Sequence, residues 1–208
     1  MALIEKLQEI KTKVAPKIQP TKLNQVFSDD TEVEYLDLRN IDTSKCNQIS
    51  NPFSGCSNLK RINMSTWDTS NIQQILNFFS GCSSLEEVDL ENFNTKRFTT
   101  FRGWFNYCSS IKEIKLDITN VTTSSGLQNT FRNCTSLEKI DFTGTEDVKT
   151  SIDISTTGLT TQGLMDMLNT LPQLEEGCYT TIIIGEEKLS LLTEEQVAIF
   201  YEKGYTLM

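Results

Sequence analysis

The residues best able to do chemistry in this 208-residue chain are its six cysteines. Four of them, Cys56, Cys82, Cys108 and Cys134, recur at a constant step of 26 residues. A thiol can bridge, ligate a metal or attack a substrate, and each use needs a suitable neighbour. Metal binding needs converging thiolates or histidines, and the chain has no histidine and no Cys-x-x-Cys pair. Ser-His and Cys-His nucleophile pairs are excluded for the same reason. A disulfide needs Cβ atoms about 3.8 Å apart and turned toward each other. Equivalent positions of stacked repeats would lie about 4.8 Å apart with parallel side chains. The four thiols therefore read as small, buried and free.

The carboxylates are no better placed for catalysis. Glu86-Glu87 and Glu175-Glu176 are adjacent, and adjacent strand residues point to opposite faces. Asp29, Asp30 and Glu32 read as a solvated acidic loop. No Gly-x-Gly-x-x-Gly, P-loop or Gly-x-Ser-x-Gly occurs. The residues point to a non-enzymatic protein with no catalytic residue, no cofactor and no metal site.

The cysteines belong to longer copies. Phe-Ser-Gly-Cys-Ser-Asn-Leu at residues 53–59 returns as Phe-Ser-Gly-Cys-Ser-Ser-Leu at 79–85. Phe-Asn-Tyr-Cys-Ser-Ser-Ile at 105–111 and Phe-Arg-Asn-Cys-Thr-Ser-Leu at 131–137 follow. Leu36, Ile62, Val88, Ile114 and Ile140 form one apolar column. Leu38, Met64, Leu90, Leu116 and Phe142 form another, two residues later. A third holds Ile49, Ile75, Phe101 and Leu127. Apolar residues two apart suit a strand with one buried face. A period in the twenties with leucine-type positions is the pattern of leucine-rich-repeat solenoids. The expectation is five strand-bearing coils stacked into one parallel sheet, each burying its neighbour's apolar side.

The motif has a family likeness. Leu-x-x-Ile-x-Leu-type spacing, then Trp-Asp-Thr-Ser-Asn-Ile at residues 67–72, then Phe-x-Gly-Cys-Ser-x-Leu, resembles the BspA-like, Treponema-type leucine-rich repeat. The likeness covers residues 23–143. It implies an α/β-type repeat solenoid: a leucine-rich-repeat parallel sheet with an N-terminal helix and an α/β C-terminal cap. Such proteins occur on bacterial surfaces and in phages, and the resemblance implies binding rather than catalysis. Thr119-Asn120-Val121 departs from the pattern, standing where Trp67-Asp68-Thr69 would recur.

Two candidate surfaces follow. Outward strand positions form the columns Tyr35, Arg61, Glu87, Glu113, Lys139 and Asp37, Asn63, Asp89, Lys115, Asp141. They are mixed and mostly charged, as a solvated or binding face would be. On the opposite side, Trp104 shares a variable column with Pro52, Phe78 and Thr130. That variability predicts partial exposure, so Phe78, Trp104 and Tyr107 form a candidate apolar contact patch. Trp67 and Phe93 share a column with Ile41 and read as core.

The ends are set by composition. Residues 1–20 carry Leu3, Leu7, Ile10 and Val14 at helical spacing, then Pro16 and Pro20. This predicts a helix and linker that caps the array or docks it elsewhere. Residues 21–143 hold the repeats. Residues 144–208 form a crossover and cap. There a helix carries Leu164, Met165, Leu168 and Leu171 after an N-cap at Thr160 or Thr161. A strand at 179–184 stops at Gly185. Thr193-Glu-Glu-Gln196 predicts a capping box, and a last strand closes the chain at 205–208. The closing segment resembles the end of leucine-rich-repeat proteins encoded by phages and prophages. The residues carrying it are Leu171, Pro172, Ile182–Gly185, Leu192–Gln196 and Lys203–Leu207.

The net charge of −9 argues against nucleic acid and anionic membranes, and no apolar run reaches the roughly 18 residues of a membrane helix. The chain's start has no secretory leader pattern, so folding in a cytoplasm is expected. Together these features predict a recognition or structural module with a protein partner, no nucleic acid and no membrane insertion. A phage virion or tail-associated protein that binds a virion component or host surface is the first expectation. A bacterial cell-surface adhesin-like protein is the alternative, and a second copy of the chain is a further candidate partner.

Overall fold

The computed structural model of the protein describes residues 18–72, 74–121, 123–144 and 148–208. The helix expected within residues 1–20 lies almost wholly outside the described residues.

Every strand pairing is parallel. The strands β1 (Lys22–Asn24), β3 (Gln48–Ser50) and β5 (Ile75–Leu76) form one small sheet in the order β1-β3-β5. Two others are the pair β2 (Tyr35–Asp37) with β4 (Arg61–Asn63), and the pair β6 (Glu113–Asp117) with β7 (Lys139–Thr143). The fourth holds β8 (Ile152–Asp153), β9 (Thr180–Ile183) and β10 (Tyr205–Leu207), in the order β10-β9-β8. After the repeats, the described residues hold the helices α1 (Thr161–Thr170), α2 (Glu186–Leu189) and α3 (Glu194–Glu202).

This arrangement corrects the expected fold. Among the described residues no single leucine-rich-repeat sheet runs through the repeats, and the α/β repeat solenoid built on it is not formed. Leu36 pairs with Ile62, and Ile114 with Ile140. Val88, between them, lies in no strand, so the expected row is broken in its middle. The reason is local. Most of each 26-residue unit is turn, with strands only two to five residues long. An Asx turn closes the strand position of four units. Asp37, Asn63, Asp89 and Asp117 each accept the backbone N–H two residues on, at 2.9–3.2 Å. Two left-handed residues also recur in each repeat, in the columns Gln25, Asn51, Asn77, Gly103, Asn129 and Asp29, Gly55, Gly81, Tyr107, Asn133. Such a chain turns too often to hold a long ladder. The small sheet through Ile49 and Ile75 was legible only as an apolar column.

The units cohere instead along their Phe-Cys segments. Phe27, Phe53, Phe79 and Phe105 stack face to face at 5.6–5.8 Å, with ring planes 13–20° apart. Each thiol donates to the carbonyl of the phenylalanine one unit back. Cys56 reaches Phe27 at 2.8 Å; Cys82, Cys108 and Cys134 reach Phe53, Phe79 and Phe105 at 3.1 Å. All four thiols are free and buried. Burial pushes the Cys134 thiol up to about 12 and raises Cys108 well above the usual thiol range.

After Phe142, helix α1 packs on β7, and Thr170 Oγ1 accepts from the Phe142 N–H at 3.0 Å. Thr160 caps α1 by accepting from the Gly163 N–H. The capping box of α3 forms between Thr193 and Gln196.

Candidate functional site

The break at Val88 opens a cleft. Residues 86–91 and β6 come from consecutive units and stand at positions that should pair. No backbone hydrogen bond joins residues 86–91 to residues 112–117 among the described residues. Other units make that link: Lys60 N–H donates to Glu34 O at 2.9 Å, Glu86 to Lys60 at 3.1 Å and Glu138 to Lys112 at 2.9 Å. The cleft between the two segments has a volume of about 870 Å³.

Its cause is a shift of phase. From Asp37 to Asn63 to Asp89 the turn-closing residue recurs at 26; from Asp89 to Asp117 the step is 28. The following turn moves with it. Ile41, Trp67 and Phe93 donate backward to Leu38, Met64 and Leu90, and Val121 does so to Ile118. Two residues are added within the strand, so β6 and β7 run five residues where β2 and β4 run three. The unit then recovers its length before Leu127. A three-residue position facing a five-residue strand cannot match its turns. Charge adds to the mismatch, since the 26-residue register sets Glu87 against Glu113, and like charges opposite one another are disfavoured.

The floor is apolar: Phe93, Phe101, Trp104 and Leu116 are all buried. Val88 and Leu90 line one wall and are only partly buried. The rim is acidic. Glu86, Glu87, Asp89, Glu91, Glu113 and Asp117 face two ammonium groups, Lys112 and Lys115. Arg61 reaches Glu87 at 3.1 Å and Glu86 at 3.7 Å. Lys115 reaches Glu91 at 3.9 Å across the opening, and Lys139 holds Glu113 at 2.6 Å. These pairs are exposed, and solvent screens such contacts so that each adds little to stability. Burial acts to raise the Asp117 carboxyl, but hydrogen bonds from Thr119 and Thr95 and the Lys96 charge together leave it below the usual range.

Backbone groups also face the cleft. Lys112 O accepts from Lys139 N–H, and Ile118 N–H donates to Thr143 O. In a parallel strand, alternate residues address each neighbour. Glu113, Lys115 and Asp117 therefore turn their N–H and C=O groups away from β7, toward the open side.

The expected surface residues divide. Glu87, Asp89, Glu113 and Lys115 are exposed at the cleft. Arg61 is exposed and adjoins it through its ion pairs. Tyr35, Asp37 and Asn63 lie on β2 and β4, away from it; Tyr35 is exposed, and Asp37 is held by Arg39 at 2.6 Å. The apolar patch is not formed. Phe78 and Trp104 are fully buried, and only Tyr107 is exposed, with the Arg132 guanidinium 5.8 Å from its ring centre. The variable column does not mark the surface: all four of its members are buried, and two of them bond inward. Trp104 Nε1 donates to Ile75 O at 2.5 Å and Thr130 Oγ1 to Phe101 O at 2.9 Å. Sequence reasoning missed the cleft, although its signal is present. Leu116-Asp-Ile-Thr-Asn-Val121 repeats Val88-Asp-Leu-Glu-Asn-Phe93 two residues late.

No histidine or cysteine lines the cleft. Among the described residues, no group of three or more histidine, cysteine or acidic side chains could hold a metal ion. Nor is any helix there long and apolar enough to cross a membrane. No curated protein and no solved structure is significantly similar to the chain. One family model matches residues 21–144, the repeats that build both walls of the cleft, and the chain accordingly belongs to the family described as "Mycoplasma protein of unknown function, DUF285".

Proposed function

We propose that this is a non-enzymatic recognition module whose binding site for a protein partner is the cleft between residues 86–91 and β6. The observation that carries this is the interrupted pairing. It leaves hydrogen-bonding backbone beside an apolar floor, and such groups gain by acquiring a partner. The repeat itself is proposed to be of the BspA-like, Treponema type. Its Phe-x-Gly-Cys-Ser-x-Leu segments support that type, and membership of the family is compatible with it.

The phage-like closing segment supports a virion or tail-associated protein. The bacterial description of the family favours the second reading, a protein displayed on a bacterial surface. A photo-crosslinking residue in place of Asp89, tested in the organism that encodes the protein, separates these readings. The control places the same residue at Asp166, exposed on α1. A defined protein adduct from position 89 and none from 166 is expected; equal or absent adducts remove the recognition site. Recovery of the adduct in purified particles or in the cell envelope decides where the module works.

A further inference from the structure

We infer that the occupant of the cleft is an extended segment of a partner protein in which apolar residues alternate with lysine or arginine. The segment adds as a strand to the open edge of β6. This rests on the recognition site proposed above and names its ligand chemistry.

Three features converge on it. First, Glu113, Lys115 and Asp117 present alternate N–H and C=O groups to the cleft, the template for strand addition. A helix or a folded loop could not satisfy that spacing. Second, a strand lying there would point every second side chain down at Phe93, Phe101 and Leu116, so those residues must be apolar. Third, the remaining side chains would point out to a rim on which six carboxylates outnumber two lysines, in a chain of net charge −9. Cations on the incoming strand complement that rim. The existing partners of Glu87 and Glu113 are exposed side chains, which exchange at little cost. A second copy of this chain is disfavoured by the same charge.

The test uses the full chain and a fluorescein-labelled seven-residue peptide of alternating valine and lysine, read by anisotropy. Saturable binding is expected, weakening about tenfold when salt rises from about 0.05 to about 0.5 M. A valine–glutamate peptide of the same length should not bind. The double substitution Glu87→Gln with Glu113→Gln alters exposed side chains only, and should weaken binding about fivefold. Two N-methylated valine–lysine peptides test strand addition, one methylated at the valines and one at the lysines. One set should abolish binding and the other spare it, because only alternate amides meet β6.

Equal binding of the acidic peptide, equal effects of the two methylation patterns, or no binding at all would each overturn the inference. Concentration-dependent dimerisation that excludes the peptide would do the same, by making a second copy the occupant. Crosslinks from position 89 without peptide binding would sink this inference and leave the recognition site standing. Peptide binding at the cleft without crosslinks would leave the slot real and its use as a recognition site in the organism refuted.

Discussion

The same two units, residues 79–104 and 105–130, meet along two edges that behave oppositely. On the Phe-Cys edge, Phe79 and Phe105 stack at 5.8 Å, the Gly81 N–H donates to Asn106 O at 2.7 Å, and Cys108 donates to Phe79 O at 3.1 Å. On the strand edge no backbone bond crosses among the described residues, and a cleft stands open. Cohesion between these two units thus resides in the ring stack, the thiol–carbonyl bonds and the backbone bonds beside them. The strand edge can be interrupted without separating the units, so it is the part free to take a ligand.

Unequal cost of truncation across the two edges is the largest expected difference. Phe79→Ala removes a buried ring from the stack and should cost about 3–5 kcal/mol. Leu90→Ala, at the partly buried wall, should cost under about 1.5 kcal/mol. Urea unfolding of both variants measures this, and equal losses would refute the division of labour. Next comes the open edge itself. In hydrogen exchange followed residue by residue, the amides of Glu113, Lys115 and Asp117 should exchange at least about tenfold faster than those of Ile114 and Leu116. Uniform protection along β6 would mean the ladder is closed.

Tyr107 sharpens the comparison on the Phe-Cys edge. It adopts φ 61° where Gly55 and Gly81 stand in the same column at φ 80°. A side chain in that left-handed region costs about 1 kcal/mol. Tyr107→Gly should therefore stabilise the protein by up to about that amount, less whatever the Arg132 contact contributes. A measured loss would show that the ring holds the edge together.

The smallest effect is electrostatic. Asp37, through its side-chain hydrogen bond from Arg39, and Asp117 both have carboxyls lowered below the ordinary value. A lowered folded-state pKa gives stability that is present above the unfolded value, near pH 4, and is lost as pH falls through the folded value. Asp37→Asn and Asp117→Asn should each cost a little stability at pH 7 and flatten its decline below about pH 4, where variant and parent converge. A loss as large at about pH 2 as at pH 7 would contradict the assignment.

Part of this architecture is legible in the sequence. The Phe-x-x-Cys step marks the repeat, and Thr160 and Thr193 mark the starts of α1 and α3. These signals are local, carried by residue type and spacing alone. The cleft was not read because the cysteine column stays in phase while the strand segment slips beside it. Two residues are gained before Asp117 and lost again before Leu127, so a register anchored on cysteine conceals the slip. The variable column containing Phe78 and Trp104 predicts partial exposure, and the structure buries both. Different side chains there satisfy the same inward geometry, as the bonds of Trp104 and Thr130 show.

By itself, then, the sequence settled that like units recur, that their thiols lie in register, and that the chain is acidic and lacks the usual catalytic base. Whether neighbouring units would pair along their strands was decided only in three dimensions. Pairing needs strands of equal length, turns in phase and compatible charges across the gap, and those conditions relate residues 26 apart in sequence that meet only after the chain has folded.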